Sequence, residues 1–198
     1  MPSPAIVGVE SRNPGIITRR HGRLTNVLSL LNLYVDLCLL RRGPQDLPAS
    51  RALLRLVLVL DIAAGILLGW VVWGALGPAV GATLLDIAVL LGLLGVALRT
   101  RSHLPRFTQS ASALLGVGAL FTLLAIPLQP LLEVSDAADP DGVSALVYLL
   151  YVAWVQVVYG HILRHTLNLP LGAGIAIALC YTLTSAILVE LFFPLPET

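Results

Sequence analysis

Residues 52–73 read ALLRLVLVLDIAAGILLGWVVW, and residues 80–98 read VGATLLDIAVLLGLLGVAL. At 1.5 Å per helical residue, either stretch is long enough to cross about 30 Å of hydrocarbon. Apart from Arg55 and Asp61 in the first and Asp86 in the second, neither holds an ionisable residue. A water-facing helix would show a polar face, and these have none. The short Gly- and Pro-containing connection between them fits an antiparallel pair of membrane spans.

Working outward, three more stretches meet the same requirement: Phe107–Leu128, Val143–Leu163 and Leu171–Phe193. Pro127 and Pro130 are expected to end the first of these. The whole chain agrees with five spans. Of its 198 residues, 57% are hydrophobic and 12% charged, against about 45–50% and about 25% in soluble domains. Its mean hydropathy is +0.89. Those values exclude a soluble globule, a coiled coil, a disordered chain and a disulfide scaffold. The two cysteines, Cys38 and Cys180, both fall within apolar stretches.

The sequence divides into a flexible basic arm over 1–23, an amphipathic helix and turn over 24–51, and a five-span bundle over 52–198. The apolar stretch Leu24–Leu40 carries Thr25, Ser29, Asn32 and Asp36 at helical spacing, with Arg23 before it and Arg41 and Arg42 after it. An interfacial helix would place both arginine groups at anionic headgroups. A short helix packed on the bundle would show the same stripe.

All 12 basic residues are arginines, a bias that fits a GC-rich bacterial genome. They fall before the first span, in the loop 99–106 and after Leu163, with Arg55 one turn inside the first span. The segments 74–79, 132–142 and 194–198 contain none, and 133–141 is acidic. Positive residues mark the cytoplasmic side. The expected placement is therefore the bacterial inner membrane, with the N-terminus cytoplasmic and the C-terminus outside.

Ionisable groups within spans are functional candidates because they are costly in lipid. Asp61 and Asp86 lie on adjacent antiparallel spans, where they serve either as packing polar groups or as a relay or cation site. Arg55 is about 120° from Asp61 around its own helix, so it is a poor partner. Gln156 is suited to an interhelical hydrogen bond. A second candidate set is His161 and His165, one helical turn apart, with His103 in the adjoining loop. No carboxylate or cysteine completes a zinc motif there, so no metal and no cofactor is expected. Helix packing is assigned to small residues: Gly65 and Gly69, Gly92, and the series Gly174, Ala178 and Thr182. No nucleophile elbow, P-loop or dinucleotide fingerprint occurs, so a non-catalytic protein is expected. The expected partners are anionic lipid headgroups and other membrane proteins or further copies of the chain; nucleic acid is not among them.

The segment Trp154-Val155-Gln156-Val157-Val158-Tyr159-Gly160-His161, followed by Leu169-Pro170-Leu171-Gly172-Ala173 and an apolar helix, resembles the span-turn-span ending of bacterial Yip1-domain proteins. The layout as a whole resembles the Yip1 family: a cytoplasmic N-terminus, an amphipathic stretch, five spans and an outside C-terminus. That resemblance implies a non-catalytic membrane scaffold or accessory protein. The alternative is a small transporter or channel subunit using Asp61 and Asp86.

Overall fold

The computed structural model describes residues 22–132 and 142–194. The basic arm up to residue 21, the acidic segment 133–141 and the last four residues lie outside the described part. The elements are α1 (Gly22–Cys38), α2 (Arg51–Trp73), α3 (Leu76–Thr100), α4 (Phe107–Leu132), α5 (Gly142–Leu167) and α6 (Leu171–Phe192), with short 3-10 turns at Pro44–Asp46 and Leu104–Arg106. The five helices α2 to α6 are each long and apolar enough to cross a membrane. The protein is an all-α, multi-pass membrane bundle.

Two boundaries differ from expectation. Helix α3 begins at Leu76, because Gly74 alone (φ 63) and Ala75 reverse the chain after α2. Helix α4 continues through both Pro127 and Pro130 to Leu132. In lipid no water competes for the carbonyls a proline frees, and neighbouring helices can satisfy them. Two residues before Leu123, whose carbonyl Pro127 leaves without its helical donor, the Phe121 carbonyl accepts from the Tyr151 hydroxyl at 2.9 Å.

The spans close into a ring in the order α2, α3, α6, α5, α4 and back to α2. Helix α4 has a special place in it. Residues 110–119, SASALLGVGA, are buried without interruption. Four of the small residues there, Ser110, Ala111, Ser112 and Ala113, pack at or near zero exposure. A helix enclosed on every side must be narrow. Helix α6 is the opposite case: only Gly174, Ala178, Tyr181 and Ser185 are buried, and the rest of its mostly apolar surface is half-buried or exposed.

Glycines permit the closest approaches. A Cβ at Gly160 would lie 2.8 Å from the Ile175 nitrogen, and one at Gly174 would run into the Gly160 carbonyl oxygen. Here α5 and α6 touch backbone to backbone. Similarly, a Cβ at Gly69 would lie 2.9 Å from Cα of Ala79, and one at Gly65 would meet the Thr83 side chain. The expectation for Gly92 fails. It is exposed, with nothing within 4 Å of an added Cβ, because α3 turns that face to the lipid. The α6 series also bends: burial follows Gly174, Ala178, Tyr181 and Ser185, and Thr182 is only half-buried.

Helix α1 leans on the outside of this ring. Tyr34, Leu37 and Cys38 are buried against α4 and α5, whereas Ser29 and Asn32 are exposed together with Leu28, Leu31 and Val35. The Tyr34 ring covers Gly116, and its hydroxyl donates to the Ser112 carbonyl at 3.1 Å. Trp154 Nε1 donates to the Cys38 carbonyl at 3.0 Å. The helix thus presents the packed face expected of a short helix docked on the bundle.

Three helix ends at the arginine-rich end use the same closure. The bonds Arg41 N–H to Asp36, His103 N–H to Leu98 and Leu169 N–H to Arg164 are all 2.9 Å. Leu40, Ser102 and Asn168 sit left-handed just before them. These are Schellman closures, which satisfy carbonyls that a helix end leaves open.

Replacing Gly160 by valine should destabilise the protein by about 3 kcal/mol or more, because the clash is with backbone that cannot move aside. Gly92→Val should change stability by less than about 0.5 kcal/mol. Reversible unfolding in mixed micelles compares them, and equal costs would refute the assigned packing faces.

Candidate intramembrane polar site

Inside the ring of five spans lies a cavity of about 460 Å³. Every spanning helix contributes to its wall, including Asp61 from α2, Asp86 from α3, Gly118 from α4, Gln156 and Tyr159 from α5, and Tyr181 and Ser185 from α6. It extends from mid-bundle toward the end that carries the α2–α3 turn. There Trp73 Nε1 donates to the Phe193 carbonyl at 3.1 Å, and the Phe193 ring fills the space beside Gly81. This aromatic tie joins the ends of α2 and α6.

The two carboxylates have different surroundings. Asp86 Oδ1 accepts from the Tyr181 hydroxyl at 2.8 Å and from the Ser185 hydroxyl. Residues 181 and 185 are one turn apart, so α6 holds Asp86 from one face. Asp61 is only 9% exposed and accepts no hydrogen bond among the described residues. Its Oδ1 and the Tyr159 hydroxyl both converge on Gly118, where a Cβ would lie 3.1 Å from the first and 2.9 Å from the second. Gln156 is 5% exposed; its Nε2 donates to Thr182 Oγ1 at 2.8 Å, and its Oε1 has no partner.

Of the expected site residues, the structure therefore brings together Asp61, Asp86 and Gln156. It leaves Arg55 out: that side chain is exposed on the outer surface of α2. The angle around the helix is the reason. Sequence reading did not single out Tyr159, Tyr181, Ser185 or Gly118. The available signal was the Tyr181–Ser185 spacing, two hydroxyls one turn apart in an otherwise apolar helix.

The histidines form a different arrangement. The His161 and His165 rings meet edge to face at 4.7 Å between centroids. His161 Nε2 lies 3.0 Å from the Arg42 carbonyl, which can only accept, so this nitrogen carries the proton. His165 Nε2 accepts from Arg164 Nε at 3.3 Å. The Nε2 of each ring is thereby committed, that of His161 to the chain at Arg42 and that of His165 to its neighbour Arg164. His103 stays apart, and among the described residues no three His, Cys, Asp or Glu side chains converge. His161 works as a clasp for the chain between α1 and α2. Gln109 adds to it by donating to the carbonyls of Gln45 and Leu47 at 3.0 and 2.6 Å.

Tyr181→Phe and Ser185→Ala should each cost about 1 kcal/mol, the scale of interhelical hydrogen bonds in lipid. The double variant should cost more than their sum, because it strips Asp86 Oδ1 of both donors. A double-mutant cycle on unfolding free energies measures this. Simple additivity would mean that Asp86 finds other donors. Against known proteins the chain stands on its own geometry: no family model, no curated protein and no solved structure matches it.

Proposed function

We propose that the protein is a non-catalytic transporter or channel subunit that admits a small cation to the cavity between its five spans. One observation carries this reading: Asp61 is buried on the cavity wall and, among the described residues, accepts no hydrogen bond. If Asp61 and Asp86 were only packing groups, each would be spent on a neighbouring helix. Asp86 fits that description and Asp61 does not. A buried carboxylate without a partner is expensive in a medium of low dielectric constant, and a cation in the cavity would offset that cost.

The Yip1-like layout supports the non-catalytic side of this reading. A scaffold acting on other membrane proteins would account for the exposed apolar flanks, but it gives no reason for a polar cavity. The arginines from Arg41 to Arg164 gather at one end of the bundle. That supports a cytoplasmic position for this end in a bacterial inner membrane, with its anionic headgroups as neighbours. Alkaline phosphatase inserted at Gly74 should then be active, and inserted at Ser102 inactive. The reverse pair would invert the proposed orientation.

Solid-supported-membrane recordings test the main reading. Proteoliposomes are exposed to concentration jumps of protons, alkali cations and organic ammonium ions. At least one should give a current that falls tenfold or more in the Asp61→Asn/Asp86→Asn double variant, judged by a column profile matching the wild type. Equal traces for every cation would return the protein to the scaffold reading.

A further inference from the structure

The polar atoms around the cavity are unequally supplied with protons. Most hydroxyl and indole protons in its wall are already spent within the fold. Tyr181 and Ser185 donate to Asp86, Tyr151 to the Phe121 carbonyl at 2.9 Å, and Trp73 to the Phe193 carbonyl. Thr83 and Thr182 donate back to the carbonyls of Ala79 and Ala178, at 2.7 and 3.1 Å. This last bond also fixes the amide of Gln156. A threonine hydroxyl has one proton, so Thr182 must accept from Gln156, which therefore presents Nε2 to it. Oε1 is left facing away with no donor.

What remains without a donor is mainly acceptor capacity: the Asp61 carboxylate and the fully buried Gln156 Oε1. A carboxylate has about four lone-pair positions and an amide oxygen two. Against these, the hydroxyls of Tyr159 and Thr122, which make no hydrogen bond among the described residues, and the second N–H of Gln156 Nε2 can supply three protons. The deficit is in N–H or O–H donors and in positive charge together. The rest of the wall is apolar, with Phe121, Val152, Val155 and Val189 beside the polar groups.

We infer that the cavity takes an organic cation bearing N–H donors, an alkylammonium or alkylguanidinium, whose N–H groups are accepted by the Asp61 carboxylate and, once the buried amide turns toward the cavity, by Gln156 Oε1. This rests on the cation reading above and narrows it to a substrate class. A quaternary ammonium ion supplies charge but no proton, so it leaves Gln156 Oε1 unsatisfied. A divalent metal would want about six oxygen ligands at short range, whereas the side chains here are spread around about 460 Å³. The alkyl part of an organic cation would lie against the apolar wall. Gly118 keeps the polar corner open, since any Cβ there would press on both Asp61 Oδ1 and the Tyr159 hydroxyl.

The test uses the purified full chain, with thermal unfolding followed by tryptophan fluorescence and concentration jumps on the supported membrane. The probes are butylammonium, butylguanidinium, tetramethylammonium and sodium. A cation that binds the folded state raises the melting temperature with its concentration. The two N–H cations should bind about tenfold or more tightly than tetramethylammonium, the difference made by hydrogen bonds to a charged acceptor. Asp61→Asn, an isosteric change, should weaken them about tenfold. Gln156→Met, which keeps the length of the side chain, should shrink the preference over tetramethylammonium. Gly118→Ala should weaken binding without altering any charge. Equal binding of tetramethylammonium would overturn the N–H assignment. Asp61-dependent currents with sodium or protons, and no response to either N–H cation, would overturn it while leaving the cation reading intact. No Asp61-dependent response to any probe would remove both.

Discussion

The narrowness of α4 is the constraint on which the rest of the bundle depends. Ten consecutive residues of this helix, 110–119, are buried, so it has no lipid-facing side over nearly three turns. Only a helix rich in Ser, Ala and Gly can be surrounded in this way, because without a hydrophobic drive in lipid the contacts must come from close packing. Its position lets α2, α3 and α5 approach on one side while α1 lies across Gly116 on another. A bulky residue at 116 would displace Tyr34, and one at 118 would enter the cavity. The same helix thus supports the outer docking of α1 and leaves space inside.

The polar interior follows from an imbalance that the ring encloses. Most polar side chains in the spans are satisfied locally or across one interface, as in Thr166, which donates to the Ile162 carbonyl at 2.8 Å and accepts from the Ser110 hydroxyl at 3.0 Å. Those contacts are structural. Asp61 and Gln156 Oε1 differ in having no donor, and they share a wall. Burial without satisfaction is rare in folded proteins because it is costly. That is why these two atoms, and not the more numerous satisfied ones, direct attention to a ligand.

Much of the fold was legible in the residues. Five spans and the gathering of arginines at one end follow from run length and loop composition, which are one-dimensional properties. Gly65, Gly69, Gly174 and Ala178 were also legible as contact positions. Gly92 was not, since spacing along α3 cannot say which of its faces meets a neighbour. Pro127 and Pro130 misled for a related reason: their effect depends on the solvent, and rules formed in water overstate it in lipid. At the site, Asp61, Asp86 and Gln156 stood out by their cost. Tyr159, Tyr181 and Ser185 did not, because tyrosine and serine are unremarkable in a span until a partner's depth is known. The histidine spacing was real, but only geometry could reveal that carbonyl and arginine groups already occupy those rings.

The bond from Trp154 to the Cys38 carbonyl spans 116 residues of sequence, and that separation bears on how the protein is made. Synthesis proceeds at about 5–20 residues per second, so α1 leaves the ribosome roughly 6 to 23 s before its α5 partner exists. During that interval it has neither Trp154 nor the His161 ring to hold it, and Ser112 on α4 is also still to come. A polar stripe with apolar flanks is the pattern that suits a helix to resting on a membrane surface in the meantime. The amphipathic character of α1 is in this sense a provision for biosynthesis. When α5 arrives, it grips backbone carbonyls at positions 38 and 42, so assembly of the late helix onto the early one does not depend on which side chains those two positions carry.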